Sequence, residues 1–102
     1  MISEFSKHVI EIIKKIPAGK VATYGQIATL AGNNKAARQI SRLLHSSSGK
    51  YKLPWHRVIN SQGRISLRIG DGFEMQRAML ENEGIQVIKD KINLKKFQWE
   101  NM

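Results

Sequence analysis

The sequence predicts a mainly α-helical chain with short β elements, assembled around a helix-turn-helix. Three observations predict it. Apolar residues recur at helical spacing near the start of the chain. Two short helical patterns then flank a tight Gly-Asn turn. The remaining apolar runs are short and separated by turn residues, which suits brief strands.

Phe5, Val9, Ile12, Ile13 and Ile16 share one helical face, and Pro17 with Gly19 ends it, so residues of about 3 to 16 should form an amphipathic helix. Thr23-Tyr24-Gly25-Gln26 has the form of a capping box, in which a hydroxyl and an amide side chain satisfy orphan amides. The short helix it starts places Ile27, Ala28, Leu30 and Ala31 inward and stops at Gly32, where a left-handed residue costs little. Asn33 or Asn34 caps the next helix. That helix begins Lys35-Ala36-Ala37-Arg38, carries Ile40, Leu43 and Leu44, and should dissolve into Ser46-Ser47-Ser48-Gly49.

Val58-Ile59 reads as a buried strand, while Asn60-Ser61-Gln62-Gly63 and Gly70-Asp71-Gly72 are turn chemistry. A helix with Phe73, Arg77 and Leu80 on one side, and Met75 and Met79 nearby, should run to Glu83-Gly84. The tail reads as a hairpin, Ile85 to Ile88 against Ile92 to Leu94 across Lys89-Asp90, with Phe97 and Trp99 docking on the core. With 102 residues, 41% of them hydrophobic, and no repeat or linker, residues 1–102 are expected to form one domain.

No apolar run could span a bilayer, and Glu4, Lys7, His8 and Glu11 stand where a signal peptide needs unbroken apolar sequence. A cytoplasmic protein is expected. Cysteine is absent, which removes disulfides, thiolate zinc sites and any thiol nucleophile; no metal or cofactor site is expected.

The formal net charge is +9, and its distribution is uneven. From Ile12 to Gly70 there is no Asp or Glu, yet Lys14, Lys15, Lys20, Lys35, Arg38, Arg42, Lys50, Lys52, Arg57, Arg64 and Arg68 lie there. A one-signed stretch that also carries regular apolar residues suggests a folded surface facing a polyanion. These basic residues do not lie on one face of an amphipathic helix, which disfavours a membrane surface. The small residues Ala36 and Ala37 at a helix start either pack in the core or let a basic helix approach a nucleic-acid groove.

The run Leu53-Pro54-Trp55-His56-Arg57-Val58-Ile59 resembles the active-site signature of the O6-alkylguanine-DNA alkyltransferases, Pro-Cys-His-Arg-Val, with Trp55 in place of the cysteine. Tyr24 to Ala28 and Ala31 to Arg38 resemble that family's helix-turn-helix, and Glu83-Gly84 its Glu-Gly pair. The likeness spans roughly Phe5 to Ile88, and by its Pro-Trp-His-Arg-Val run the chain is identified as a member of the alkyltransferase-like subgroup.

The resemblance implies a winged-helix-like domain of the alkyltransferase C-terminal type that binds duplex DNA as a monomer. It flips O6-alkylguanine into a pocket lined by Pro54, Trp55, His56, Val58 and Arg68. Arg38 would enter the duplex and fill the gap, Tyr24 would rotate the 3′ phosphate, and Lys35, Ala36, Ala37 and Arg42 would lie along the minor groove with little sequence readout. His56 and Glu83 match a proton-relay pair but are expected to keep only a structural hydrogen bond. With no cysteine and no available lone pair on indole nitrogen, transfer of the alkyl group is excluded. The subgroup implies handover to nucleotide excision repair proteins, and a bacterial member would be nucleoid-associated.

Two positions depart from the family. Ser47 stands where it has a hinge asparagine, and its Tyr-Ser-Gly-Gly segment is replaced around Arg68-Ile69-Gly70-Asp71, one residue shorter. A larger or differently lined pocket is expected, with Arg68 over the extruded purine as a cation-π partner. Two rivals make other demands. A helix-turn-helix transcriptional regulator, binding undamaged DNA, needs base-reading side chains and a dimer surface; Gln39 and Arg42 are present, but no dimer helix is evident. A hydrolase using His56 with Glu83 needs a nucleophile or metal, and His8, His45 and His56 lack clustered carboxylates.

Overall fold

The structure is a computed structural model that describes residues 3–100, apart from the side chains of Ser47 and Ser48. Helix α1 spans Glu4–Lys14, capped by the Ser3 hydroxyl accepting from the Ser6 amide at 3.0 Å. Ile16, beyond its end, remains buried because the amides of Lys15 and Ile16 bond back to the carbonyls of Ile12 and Ile13, tightening the last turn. Strand β1, Ala22–Thr23, leads directly into α2, Tyr24–Leu30. The capping box forms as read: Thr23 Oγ1 accepts from the Gln26 amide at 3.0 Å, and Gln26 Oε1 accepts from the Thr23 amide at 3.3 Å. Gly32 terminates the segment at φ +90°.

Helix α3 differs from the sequence expectation at both ends. It begins at Ala37, with Lys35 and Ala36 still in the turn and Asn33 Oδ1 accepting from the Lys35 amide. It also runs through the serines to Tyr51. The Ser46 hydroxyl bonds to the helix's own Arg42 and Leu43 carbonyls at 3.0 and 3.3 Å, so it leaves the backbone amides undisturbed. Leu44, together with Tyr51, holds the extra turns against the core. The stop is Lys52 at φ +53°, a residue without glycine's freedom there, so packing rather than local preference sets this end.

A 3-10 turn, Trp55–Arg57, feeds β2, Val58–Ile59, which pairs in parallel with β1, Ala22 opposite Val58 and Thr23 opposite Ile59. Side chains alternate across a strand. Ala22 and Val58 therefore join the apolar cluster under α1, α2 and α3, while Val21 and Ile59 join a second cluster with Ile65, Leu80, Ile85, Val87 and Ile92.

Helix α4, Phe73–Asn82, follows Gly72 at its N-terminal cap position. Its buried face includes Gln76 beside Leu80, while Met75 stays exposed. The hairpin is β3, Val87–Ile88, antiparallel to β4, Lys91–Ile92. Leu94, expected in the hairpin, instead opens helix α5, Leu94–Phe97, because the Asn93 side chain caps the Lys95 amide. The Val21 and Trp99 backbones bond to those of Phe97 and Val21, tying the tail beside β1. The architecture is thus mostly helical with short strands, as expected. No described helix is long and apolar enough to cross a membrane.

Candidate nucleic-acid interface and its pocket

The turn after α2 and the first turns of α3 present Lys35, Arg38 and Arg42 to solvent. None of the three makes an ion pair among the described residues, so their charge is available to a polyanion. Ala37 is half-buried at the helix start. Ala36 is only 4% exposed and packs in the core cluster, so the expectation that it contacts DNA is corrected: its methyl group has almost no surface to offer.

Between α3 and α4 lies a pocket of about 310 Å³. Trp55 and Val58 line it from the signature loop, Tyr24, Ser41 and His45 from α2 and α3, and Leu67, Asp71 and Met75 from the far wall. The half-buried Trp55 indole stands edge-on to the His56 ring, with centroids 6.3 Å apart. Burial pushes the Tyr24 phenol above its ordinary pKa, against the opposing pull of hydrogen bonds to the Ser41 and Ser66 hydroxyls. Tyr24 therefore enters the site as a neutral hydrogen-bonding group.

Three residues expected in the lining lie elsewhere. Pro54 caps the 3-10 turn behind Trp55. His56, 6% exposed, points away from the pocket, its Nε2 donating to Glu83 Oε2 at 2.8 Å. Arg68 is exposed on the loop that contributes Leu67 and Asp71 to the wall, and its carbonyl accepts from the Asp71 amide at 2.9 Å. Of the replaced segment Arg68 to Asp71, only Asp71 lines the pocket, with Leu67 and Gly72 on either side of it. The departure at Ser47 falls outside the described side chains.

The network behind the pocket is larger than the sequence suggested. Arg57, counted there as surface charge, turns inward: its Nε and Nη2 donate to the Glu83 carboxylate at 2.7 to 3.2 Å, and its Nη1 donates to the Ile16 carbonyl at 2.8 Å. Glu83 also accepts from the Gly19 amide at 3.3 Å. Burial acts to raise the Glu83 pKa, but the bonds from Arg57, His56 and Gly19 outweigh it and bring the carboxyl down to about 2. An ionised carboxylate only accepts, so His56 Nε2 carries a proton; Nδ1 is buried with no partner among the described residues. These bonds tie the turn that carries Trp55 to the end of α4 and to the Gly19 turn.

Gln76 went unnoticed in the sequence. It is 3% exposed, and its amide nitrogen donates to the His56 and Val58 carbonyls at 3.0 and 3.1 Å, holding the loop that carries Trp55. The available signal was a polar residue on the helical face shared with Phe73 and Leu80, where burial demands a partner. Among the described residues no His, Cys, Asp or Glu cluster could hold a metal ion.

A basic helix start beside a pocket whose wall sits on a clamped loop defines a DNA-binding domain of the alkyltransferase type. The family model described as 6-O-methylguanine DNA methyltransferase, DNA binding domain, matches residues 4–85, and the chain belongs to that family. It is 44% identical to a DNA base-flipping protein of Vibrio parahaemolyticus, over 97% of this chain and 99% of the relative. It is 38% identical to alkyltransferase-like protein 1 of Schizosaccharomyces pombe, over 96% of each. The fold superimposes with a TM-score of 0.89 on S. pombe Atl1 in complex with damaged DNA containing O6-carboxymethylguanine, at 37% identity and 99% coverage of both chains. It also resembles Mycobacterium tuberculosis OGT in complex with DNA, with a TM-score of 0.69 at 30% identity, covering 82% of this chain and 51% of that one. With Trp55 at the signature position and no cysteine in the chain, it is not a methyltransferase.

Proposed function

We propose that the 102 residues act as one domain and a monomer that binds duplex DNA, extrudes an O6-alkylguanine into the Trp55 pocket, and leaves the alkyl group in place. The observation that carries this reading is the pocket itself. It opens beside α3, its volume falls in the roughly 300–1,000 Å³ range of small-ligand sites, and Trp55 supplies an aromatic wall where a nucleophile would stand. Lys35 and Arg42 give general phosphate affinity, Arg38 fills the vacated stack, and Tyr24 holds the turned phosphate. Extrusion costs a few kcal/mol, least at a pair already weakened by damage.

The names of the relatives, and the damaged DNA in the Atl1 complex, support lesion binding. Because the lesion persists, the complex needs a repair system that excises it; nucleotide excision repair proteins fit that role, acting at genomic DNA inside the cell. The test is a titration against matched duplexes holding guanine or O6-methylguanine. Selective binding of the methylated duplex is expected; equal affinity would remove the lesion-sensing reading in favour of a general DNA binder.

A further inference from the structure

Asp71 is the single acidic residue lining the pocket among the described residues, and the first acid after the acid-free stretch that ends at Gly70. Two glycines in the left-handed region flank it, Gly70 at φ +92° and Gly72 at φ +114°. A Cβ on Gly72 would also sit 3.1 Å from the pocket residue Leu67, so the turn admits little else there.

An aspartate in such a turn ordinarily binds a nearby backbone amide. Asp71 does not: among the described residues its carboxylate has no hydrogen bond and no ion pair, even with neighbouring Arg68. The work of holding the loop falls to Glu74, whose carboxylate accepts from the Gly70 amide at 3.1 and 3.3 Å. On a surface otherwise suited to phosphate, a free carboxylate opposes binding, and the turn does not use it.

The geometry points to Asp71 as the residue that sets the charge preference of the pocket, admitting uncharged O6-alkyl groups and disfavouring anionic ones. This rests on the proposed lesion binding. A sphere of the pocket's volume has a radius of about 4 Å, so a charge on a bound alkyl group lies within roughly one Debye length, about 8 Å at physiological salt, of the lining carboxylate. Asp71 is itself exposed, so solvent screens the repulsion in part, and two like charges at that separation shift affinity by about three- to fivefold. Arg68 and Arg38 do not line the pocket, so Asp71 is the one formal charge in its lining among the described residues.

The test uses four duplexes that carry guanine, O6-methylguanine, O6-isobutylguanine or O6-carboxymethylguanine; the last two match in shape and differ in charge. The wild type binds the isobutyl duplex more tightly than the carboxymethyl duplex, and Asp71→Asn, isosteric and uncharged, lowers that ratio about three- to fivefold. High salt shrinks the wild-type ratio. An unchanged ratio in Asp71→Asn, or equal wild-type affinity for the two, overturns the inference while leaving lesion binding intact. Failure to prefer O6-methylguanine over guanine overturns the reading beneath it. Asp71→Asn tightens binding to all duplexes alike through its net charge, so the ratio, referred to the guanine duplex, isolates the pocket.

Discussion

The Glu83 carboxylate receives Arg57 through both Nε and Nη2, at 2.7 to 3.2 Å, and so joins the end of α4 to the loop that carries Trp55. The same carboxylate takes His56 and the Gly19 amide, and Arg57 reaches the Ile16 carbonyl. Three separate stretches of chain meet there. The Arg57 and Glu83 side chains are 19% and 16% exposed, so solvent screens the pair only in part.

Removing one partner leaves the others without theirs. Glu83→Ala should destabilise the protein by about 2–3 kcal/mol, read from urea denaturation, with Arg57→Lys costing less because a lysine keeps the charge and loses the planar fork. Equal stability for Glu83→Ala and wild type would mean that the network is incidental to folding.

Acid unfolding should carry the same signature. Glu83 has a folded pKa of about 2 against an ordinary 4.5, so the unfolded chain binds its proton first and stability rises with pH. This contribution is complete above pH 4.5 and is lost as pH falls towards about 2. In Glu83→Gln that part of the slope should vanish, as measured by denaturation midpoints across the window.

Gln76 predicts a separation of effects. Gln76→Ala removes the donor from two buried carbonyls, a loss of about 1–3 kcal/mol in stability, and frees the loop under Trp55. Affinity for an O6-methylguanine duplex should fall several-fold while affinity for unmodified DNA stays within about twofold, because phosphate contacts lie on the surface. Parallel losses on both duplexes would place Gln76 outside the pocket's support.

The basic residues should divide the other way. Lys35→Ala and Arg42→Ala should weaken binding to damaged and undamaged duplexes alike and reduce the salt slope by about one each. Arg38→Ala should cost more on the damaged duplex, since a side chain that fills the vacated stack acts only when a base is out. Direct titration over a salt series checks both.

Local signals made much of this legible. The Thr23–Gln26 capping box, the stop at Gly32 and the buried Val58-Ile59 strand follow from short-range chemistry and occur as read. The end of α3 was misplaced because four residues with weak helix preference, Ser46 to Gly49, are carried through by tertiary packing of Leu44 and Tyr51. Arg57 looked like surface charge because its partner Glu83 is 26 residues away, and nothing in a one-dimensional pattern marks that pairing. Trp55, Tyr24 and Val58 were found through a motif, whereas Asp71, on the loop after Gly63, and Met75, on α4, reach the pocket only through the tertiary fold.

A protein that holds the lesion without repairing it leaves both partners chemically unchanged. Incubating the protein with a stoichiometric O6-methylguanine duplex, measuring affinity, then taking the masses of both recovered partners tests it in one experiment. Tight, selective binding is expected, with the methyl group still on the DNA and the protein's mass unchanged. A methyl group missing from the DNA, or selective binding lost altogether, would contradict it.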